Sequence, residues 1–173
     1  MRIIFLDVDG VLNNDDTKER YNGWIGVDKK LLNNLKILYD KLNEKEETKV
    51  VITSSWRYEK IRKHHYSDGS YDYLLNLLKD ANINVIGETP QDIISGSNRG
   101  REIFAWIILN MHKYKISNYI ILDDEEFDFD KYDDIKSRFI QTNNINGLDN
   151  TIIEKAIYTM DHTANYLNIF YNI

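Results

Sequence analysis

Short, uninterrupted apolar runs alternate along the chain with longer stretches in which leucine or isoleucine returns every three or four residues. Residues 3–6, Ile-Ile-Phe-Leu, form the first run, the pattern of a strand covered on both faces. Asp28 then stands where it can N-cap a helix carrying Leu31, Leu35, Leu38 and Leu42. Residues 50–52, bounded by a charged loop and by serines, read as a second strand; Tyr71, Leu74, Leu75 and Leu78 mark a second helix, and Val85 and Ile86 a third strand. Gly100 opens a helix with the stripe Ile103, Phe104, Ile107, Ile108 and Met111. Residues 119–122 read as the fourth strand, 138–141 as the fifth, and an amphipathic helix follows from Thr151. Strands alternating with helices predict an α/β fold with one doubly wound, mostly parallel sheet and helices on both faces. One proline and eight glycines leave no linker, and no segment repeats, so residues 1–173 read as a single domain.

In sheets of this kind ligands gather beyond the carboxyl ends of the strands. The polar residues just after each apolar run therefore matter most: Asp7 and Asp9 after the first, Thr53, Ser54 and Ser55 after the second, Asp123 and Asp124 after the fourth. A carboxylate at the end of a buried strand is costly unless a cation partners it, and three or four in one pocket repel one another enough to demand a metal. The chain has no cysteine, which excludes disulfides, thiolate zinc sites and cysteine nucleophiles. Oxygen-only donors point to Mg²⁺, a hard cation suited to phosphate chemistry. His64 and His65 are adjacent and cannot share one helix face, and His112 and His162 are isolated, so none reads as a metal ligand.

The segment Ile3-Ile4-Phe5-Leu6-Asp7-Val8-Asp9-Gly10-Val11-Leu12-Asn13 resembles the first motif of the haloacid dehalogenase (HAD) superfamily. Val50-Val51-Ile52-Thr53 is similar to its second motif, Asn98-Arg99-Gly100-Arg101-Glu102-Ile103 to its third, and Tyr119-Ile120-Ile121-Leu122-Asp123-Asp124 to its fourth, all in order. A closer resemblance covers most of the chain and is to the small HAD domains associated with Swiss Army Knife RNA-repair proteins. It is carried by Ser54-Ser55-Trp56-Arg57, by Gly87-Glu88-Thr89-Pro90, by Arg99-Gly100-x-Glu102-Ile103-x-x-Trp106 and by Gly147-Leu148.

The resemblance implies an HAD-like Rossmannoid fold and a Mg²⁺-dependent phosphatase that forms an aspartyl-phosphate on Asp7, with Asp9 as proton donor and then base. It places Thr53 and the Ser54 amide on the phosphoryl oxygens; Gly10, in the first motif, and Arg57, which follows Thr53 closely, are added to the expected binding set. It also implies Mg²⁺ held by Asp7, the Asp9 carbonyl and Asp124, with Asp123 adjacent. The third motif offers Arg99 and Arg101, which stand roughly 200° apart on a helix, so one of them faces the pocket; Arg99, before the glycine, is the choice. Asp124 aligns better than Asp123 as the metal ligand. An acid two residues after the nucleophile sets this pattern apart from a receiver-like phosphoacceptor, and the intact set of acids and Thr53 from a non-catalytic phosphate-binding module.

The gaps where a cap domain is inserted in such proteins, residues 11–27 and 58–98, are short or already filled by core elements, so no large cap is expected. An open site accepts a phosphate on a nucleotide, another small molecule or a nucleic-acid end. Arg57 is expected at the rim, reading the group that carries the phosphate; Lys60, Arg62 and Lys63 extend that surface or form a plain solvated helix face. Tyr21 and Trp24 either stack on a base or pack, and packing is the preferred reading. Of the net charge of −6, residues 123–134 hold −7, so bulk electrostatics give no support to a nucleic-acid binder. No apolar run is long enough to span a membrane, and no signal peptide is recognised, so a cytoplasmic location is expected.

Overall fold

The computed structural model describes residues 1–60, 69–91 and 98–163, with backbone only at 59 and 60. The side chain of Lys60 and all of Arg62, Lys63, His64 and His65 lie outside the described residues. The elements in order are β1 (Arg2–Leu6), β2 (Arg20–Tyr21), β3 (Trp24–Ile25), α1 (Lys29–Asn43), β4 (Thr48–Ile52), a 3-10 turn (Ser55–Lys60), α2 (Ser70–Asp80) and β5 (Val85–Glu88). They continue with α3 (Arg99–Tyr114), β6 (Asn118–Asp123), a 3-10 turn (Phe129–Lys131), α4 (Asp133–Arg138), β7 (Phe139–Gln141) and α5 (Asn150–His162).

Five strands form one sheet in the order β5-β4-β1-β6-β7, and every pairing is parallel. Its central strands are apolar on both sides because both sides are covered, and the pleat sorts them. Ile4, Leu6, Val50, Ile52, Ile120 and Leu122 face one layer with Leu35, Leu38 and Leu42 of α1, Leu74 and Leu78 of α2, and Ala156 and Met160 of α5. Ile3, Phe5, Val51, Tyr119 and Ile121 face the other, with Ile103, Trp106, Ile107 and Met111 of α3 and Ile135 of α4. The Asp28 carboxylate caps α1 as expected, accepting from the Lys30 and Leu31 amides.

The α3 stripe differs from the sequence expectation. Phe104 and Ile108 are exposed and Trp106 takes their place in the core, because the buried face is one step further round the helix. Arg138 belongs to α4, not to the fifth strand, and its guanidinium is fully buried against Asn118 and Asp134. The hairpin β2–β3 turns at Asn22 and Gly23, both with positive φ (48° and 87°), the backbone of a two-residue type I′ turn. That Asn-Gly pair is a strong hairpin signal in the sequence, although the strands it joins are too short to show alternation.

Candidate active site at the carboxyl edge of the sheet

The chain winds outward from β1 through β4 to β5, then crosses back to β6 on the other side of β1. The winding therefore reverses between β1 and β6, where a crevice opens beyond the strand ends. Leu6 is in register with Ile52 on one neighbour and Leu122 on the other. The next residues, Asp7, Thr53 and Asp123, consequently emerge side by side, tied by the Asp7 amide donating to the Leu122 carbonyl (3.0 Å) and the Thr53 amide to that of Leu6 (2.8 Å).

Carboxylate oxygens of Asp7, Asp123 and Asp124 lie within 4.8 Å of one another. Arg99, in the first turn of α3, reaches Asp7 Oδ1 at 3.0 Å and also pairs with Asp123. Its guanidinium lies over the Phe127 ring, 4.5 Å from the centroid. Asp128 holds the start of α3 in place: its Oδ1 accepts the Gly100 amide at 2.7 Å. Composition alone marks Asp128 as one solvated acid in a run of eight, so its role is visible only in three dimensions. Arg101 is exposed, which leaves Arg99 as the site's cation among the described residues.

Burial raises the pKa of Asp7, and Arg99 opposes it only in part. Burial and then Asp7 push Asp123 up to about 8 despite its pairing with Arg99. Asp124 is raised too, by burial first and by Asp7 second. Burial works against the Arg99 charge, but the pull of Asp7 and Asp123 outweighs it and keeps the guanidinium protonated. Three carboxyls crowded around one cation resist ionising together and offer oxygen donors alone, a donor set that fits a hard divalent metal.

The remaining groups are disposed around this cluster. Thr53 Oγ1 is buried beside the end of β1 and has no hydrogen-bond partner among the described residues. Ser54 is fully buried, and its hydroxyl accepts the Trp56 amide at 3.3 Å. Gly10 has φ +66°, and a Cβ there would stand 2.6 Å from Asp124, so only glycine lets the β1 loop and the Asp124 side chain coexist. Asp9 points outward, apart from the buried cluster. Its carboxylate accepts from Asn13 Nδ2 at 2.9 Å and from the Trp56 indole N–H at 3.0 Å. Neither Asn13 nor Trp56 stood out in the sequence as a partner of Asp9, because 47 residues separate Trp56 from it.

Arg57 is not at the rim. It is 2% exposed, pairs with the equally buried Glu102 of α3, and donates to the carbonyls of Thr53, Ser54 (2.6 Å) and Thr89 (3.1 Å). The 3-10 turn after Ser54 folds the side chain back under the loop, so Arg57 braces the loop that carries Thr53. Glu102, three residues beyond Arg99, joins that brace to the helix bearing the site's cation. Trp24 also departs from expectation: Tyr21 stacks on Tyr73 (4.4 Å between centroids), whereas Trp24 is 68% exposed.

A parallel sheet carrying clustered aspartates, a threonine and a basic residue at its carboxyl edge, without a large cap, defines an HAD-like Rossmannoid domain. The chain belongs to the family described as the HAD domain in Swiss Army Knife RNA repair proteins, whose model matches residues 3–152. No curated protein and no solved structure matches the chain. Among the described residues, no helix is long and apolar enough to cross a membrane.

Proposed function

We propose that the protein is a Mg²⁺-dependent phosphomonoester hydrolase that works through an aspartyl-phosphate on Asp7. The observation that carries this reading is the buried Thr53 hydroxyl, without a partner among the described residues, next to the Asp7–Arg99 pair at the strand ends. A buried hydroxyl next to a carboxylate and a guanidinium is a donor suited to a phosphoryl oxygen. The family's description supports a phosphorylated substrate, with a nucleic-acid end as one carrier of the phosphate.

In this reading an Asp7 carboxylate oxygen attacks phosphorus in line while the ester oxygen departs with a proton from Asp9. Asp9 then takes a proton from water, whose oxygen attacks the same phosphorus, releasing phosphate and restoring the Asp7 carboxylate. The Thr53 hydroxyl and the Ser54 amide bind the phosphoryl oxygens, with Arg99 balancing charge at Asp7. Asp7, Asp124 and the Asp9 carbonyl are the assigned metal ligands, because both Asp123 oxygens already have partners in Arg99 and the Glu125 amide. Bound Mg²⁺ supplies neutralising charge that favours ionised carboxylates and a developing phosphoryl anion. Asp9, oriented by two donors and outside the metal cluster, favours turnover over a receiver-like phosphoacceptor or a non-catalytic phosphate-binding module.

Hydrolysis of p-nitrophenyl phosphate with and without Mg²⁺ tests the reading. Activity should require the metal, and Asp7→Asn should abolish it while preserving the circular dichroism spectrum. Retention of more than about a tenth of the wild-type rate, a loss of under about 1.4 kcal/mol, would show that Asp7 is not the nucleophile. An acyl-phosphate that forms and then persists would assign the phosphoacceptor role instead.

A further inference from the structure

The outward side of Asp9 is one wall of a second space, a cavity of about 400 Å³ bounded by Asp9, Tyr21, Trp24, Ile25, Trp56 and Ser70. Three of the six are aromatic, and Asp9 is the one charged residue among them. The aromatic walls are firmly set. Tyr21 is stacked on Tyr73 of α2 with an angle of 15° between the rings, and Trp56 is fixed through its indole N–H on Asp9. Trp24, opposite Tyr21 in the hairpin register, keeps 68% of its surface in water, and Ile25 beside it keeps 46%. A type I′ turn joins the two short strands, and the hairpin presents its tryptophan to water.

We propose that this cavity is the leaving-group subsite and that it takes the nucleobase of a phosphorylated nucleoside, stacked on Trp24; the inference rests on the phosphatase reading, in which Asp9 protonates the departing oxygen. Whatever hangs from that oxygen must lie on the Asp9 side, and this cavity is what Asp9 opens onto. Its chemistry selects among candidates. The Asp9 carboxylate on its wall disfavours a second phosphate, a sulfate or a carboxylate. Aromatic faces beside a carboxylate suit a flat, neutral group whose edge carries N–H donors, as a nucleobase does. Its volume of about 400 Å³ has room for more than one phenol ring, which sets a nucleoside ahead of a phosphotyrosine. This moves substrate reading from Arg57, buried under the loop, to the hairpin.

The test compares adenosine 5′- and 3′-monophosphates with ribose 5-phosphate, which lacks only the base of the first. In wild type kcat/KM should favour a nucleotide over ribose 5-phosphate by about tenfold or more, the scale of one base–aromatic stack. Trp24→Leu should collapse that ratio and Trp24→Tyr should largely keep it, a split that apolar filling without a π face does not produce. Both variants replace an exposed side chain, and thermal melts check their folding. Binding is read separately on Asp7→Asn by calorimetry, where adenosine monophosphate should bind more tightly than ribose 5-phosphate. If that binding preference holds while wild type hydrolyses none of these esters or p-nitrophenyl phosphate, the phosphatase reading fails and the base site stands. If wild type hydrolyses p-nitrophenyl phosphate but shows no base preference in rate or binding, the base site falls alone. A short oligoribonucleotide with a terminal phosphate, set beside the mononucleotides, distinguishes an RNA end from a free nucleotide as the source of the base. Preference for a phosphotyrosine peptide over all of these would overturn the proposal.

Discussion

Replacing Arg57 by alanine separates a brace from a substrate contact. The guanidinium is 2% exposed, pairs with Glu102 and serves the carbonyls of Thr53, Ser54 and Thr89. Its loss strands a buried carboxylate, which costs about 3–5 kcal/mol, and removes donors from carbonyls worth about 1–3 kcal/mol each where water cannot replace them. These contributions overlap, since the loop relaxes and the Tyr58 hydroxyl still donates to Glu102 Oε1 at 3.3 Å, so a net loss of about 4–6 kcal/mol is expected. For a chain of this length that is a fall in Tm of roughly 10–20 °C. Differential scanning calorimetry with urea unfolding measures it. The paired change Arg57→Met with Glu102→Leu removes both charges and should recover most of the loss. Because the Thr53 carbonyl loses its anchor, kcat should fall on a small aryl phosphate as much as on a nucleotide. A Tm within about 3 °C of wild type, together with a KM rise confined to nucleotides, would refute the brace and return Arg57 to the rim.

Gly10→Ala forces a left-handed backbone, costing about 1–2 kcal/mol, and drives its Cβ into Asp124, so Mg²⁺ affinity by calorimetry should fall at least about tenfold; unchanged affinity would remove Asp124 from the ligand set. The raised carboxyls of Asp7, Asp123 and Asp124 contribute fully to metal-free stability below their unfolded values and lose that contribution as pH rises through the folded ones, about 8 for Asp123. Mg²⁺ requires ionised ligands, so its Tm gain should grow from about pH 5 to about pH 8, and a gain that shrinks would contradict the assignment. Asp9→Asn should slow hydrolysis of a poor leaving group far more than that of p-nitrophenyl phosphate, and equal losses would count against Asp9 as proton donor. Trp56→Phe removes the indole donor to Asp9 Oδ2 and should lower kcat on a poor leaving group without changing Mg²⁺ affinity; an unchanged kcat would make Trp56 mere packing.

Hydropathy decided the sheet. The runs at β1, β4 and β6 are apolar on both faces, which only a strand covered twice can use, and the acids that follow them had to meet where parallel strands end. Asp7, Thr53, Asp123, Asp124 and Arg99 were legible for that reason, since each sits within two residues of an element end. The pairing of Asp123 with Arg99 was not, because it depends on which carboxylate the Arg99 side chain reaches from another element. Arg57 reads in sequence as one of a basic cluster, yet a 3-10 turn and a partner 45 residues away bury it. Trp24 reads as core by its hydrophobicity, yet a two-residue turn lifts it into solvent beside Asp9. Local pattern reports how much surface a residue wants to hide; whether a given charge is paired or a given ring is covered depends on residues brought together from distant parts of the chain, and only the tertiary structure decides that.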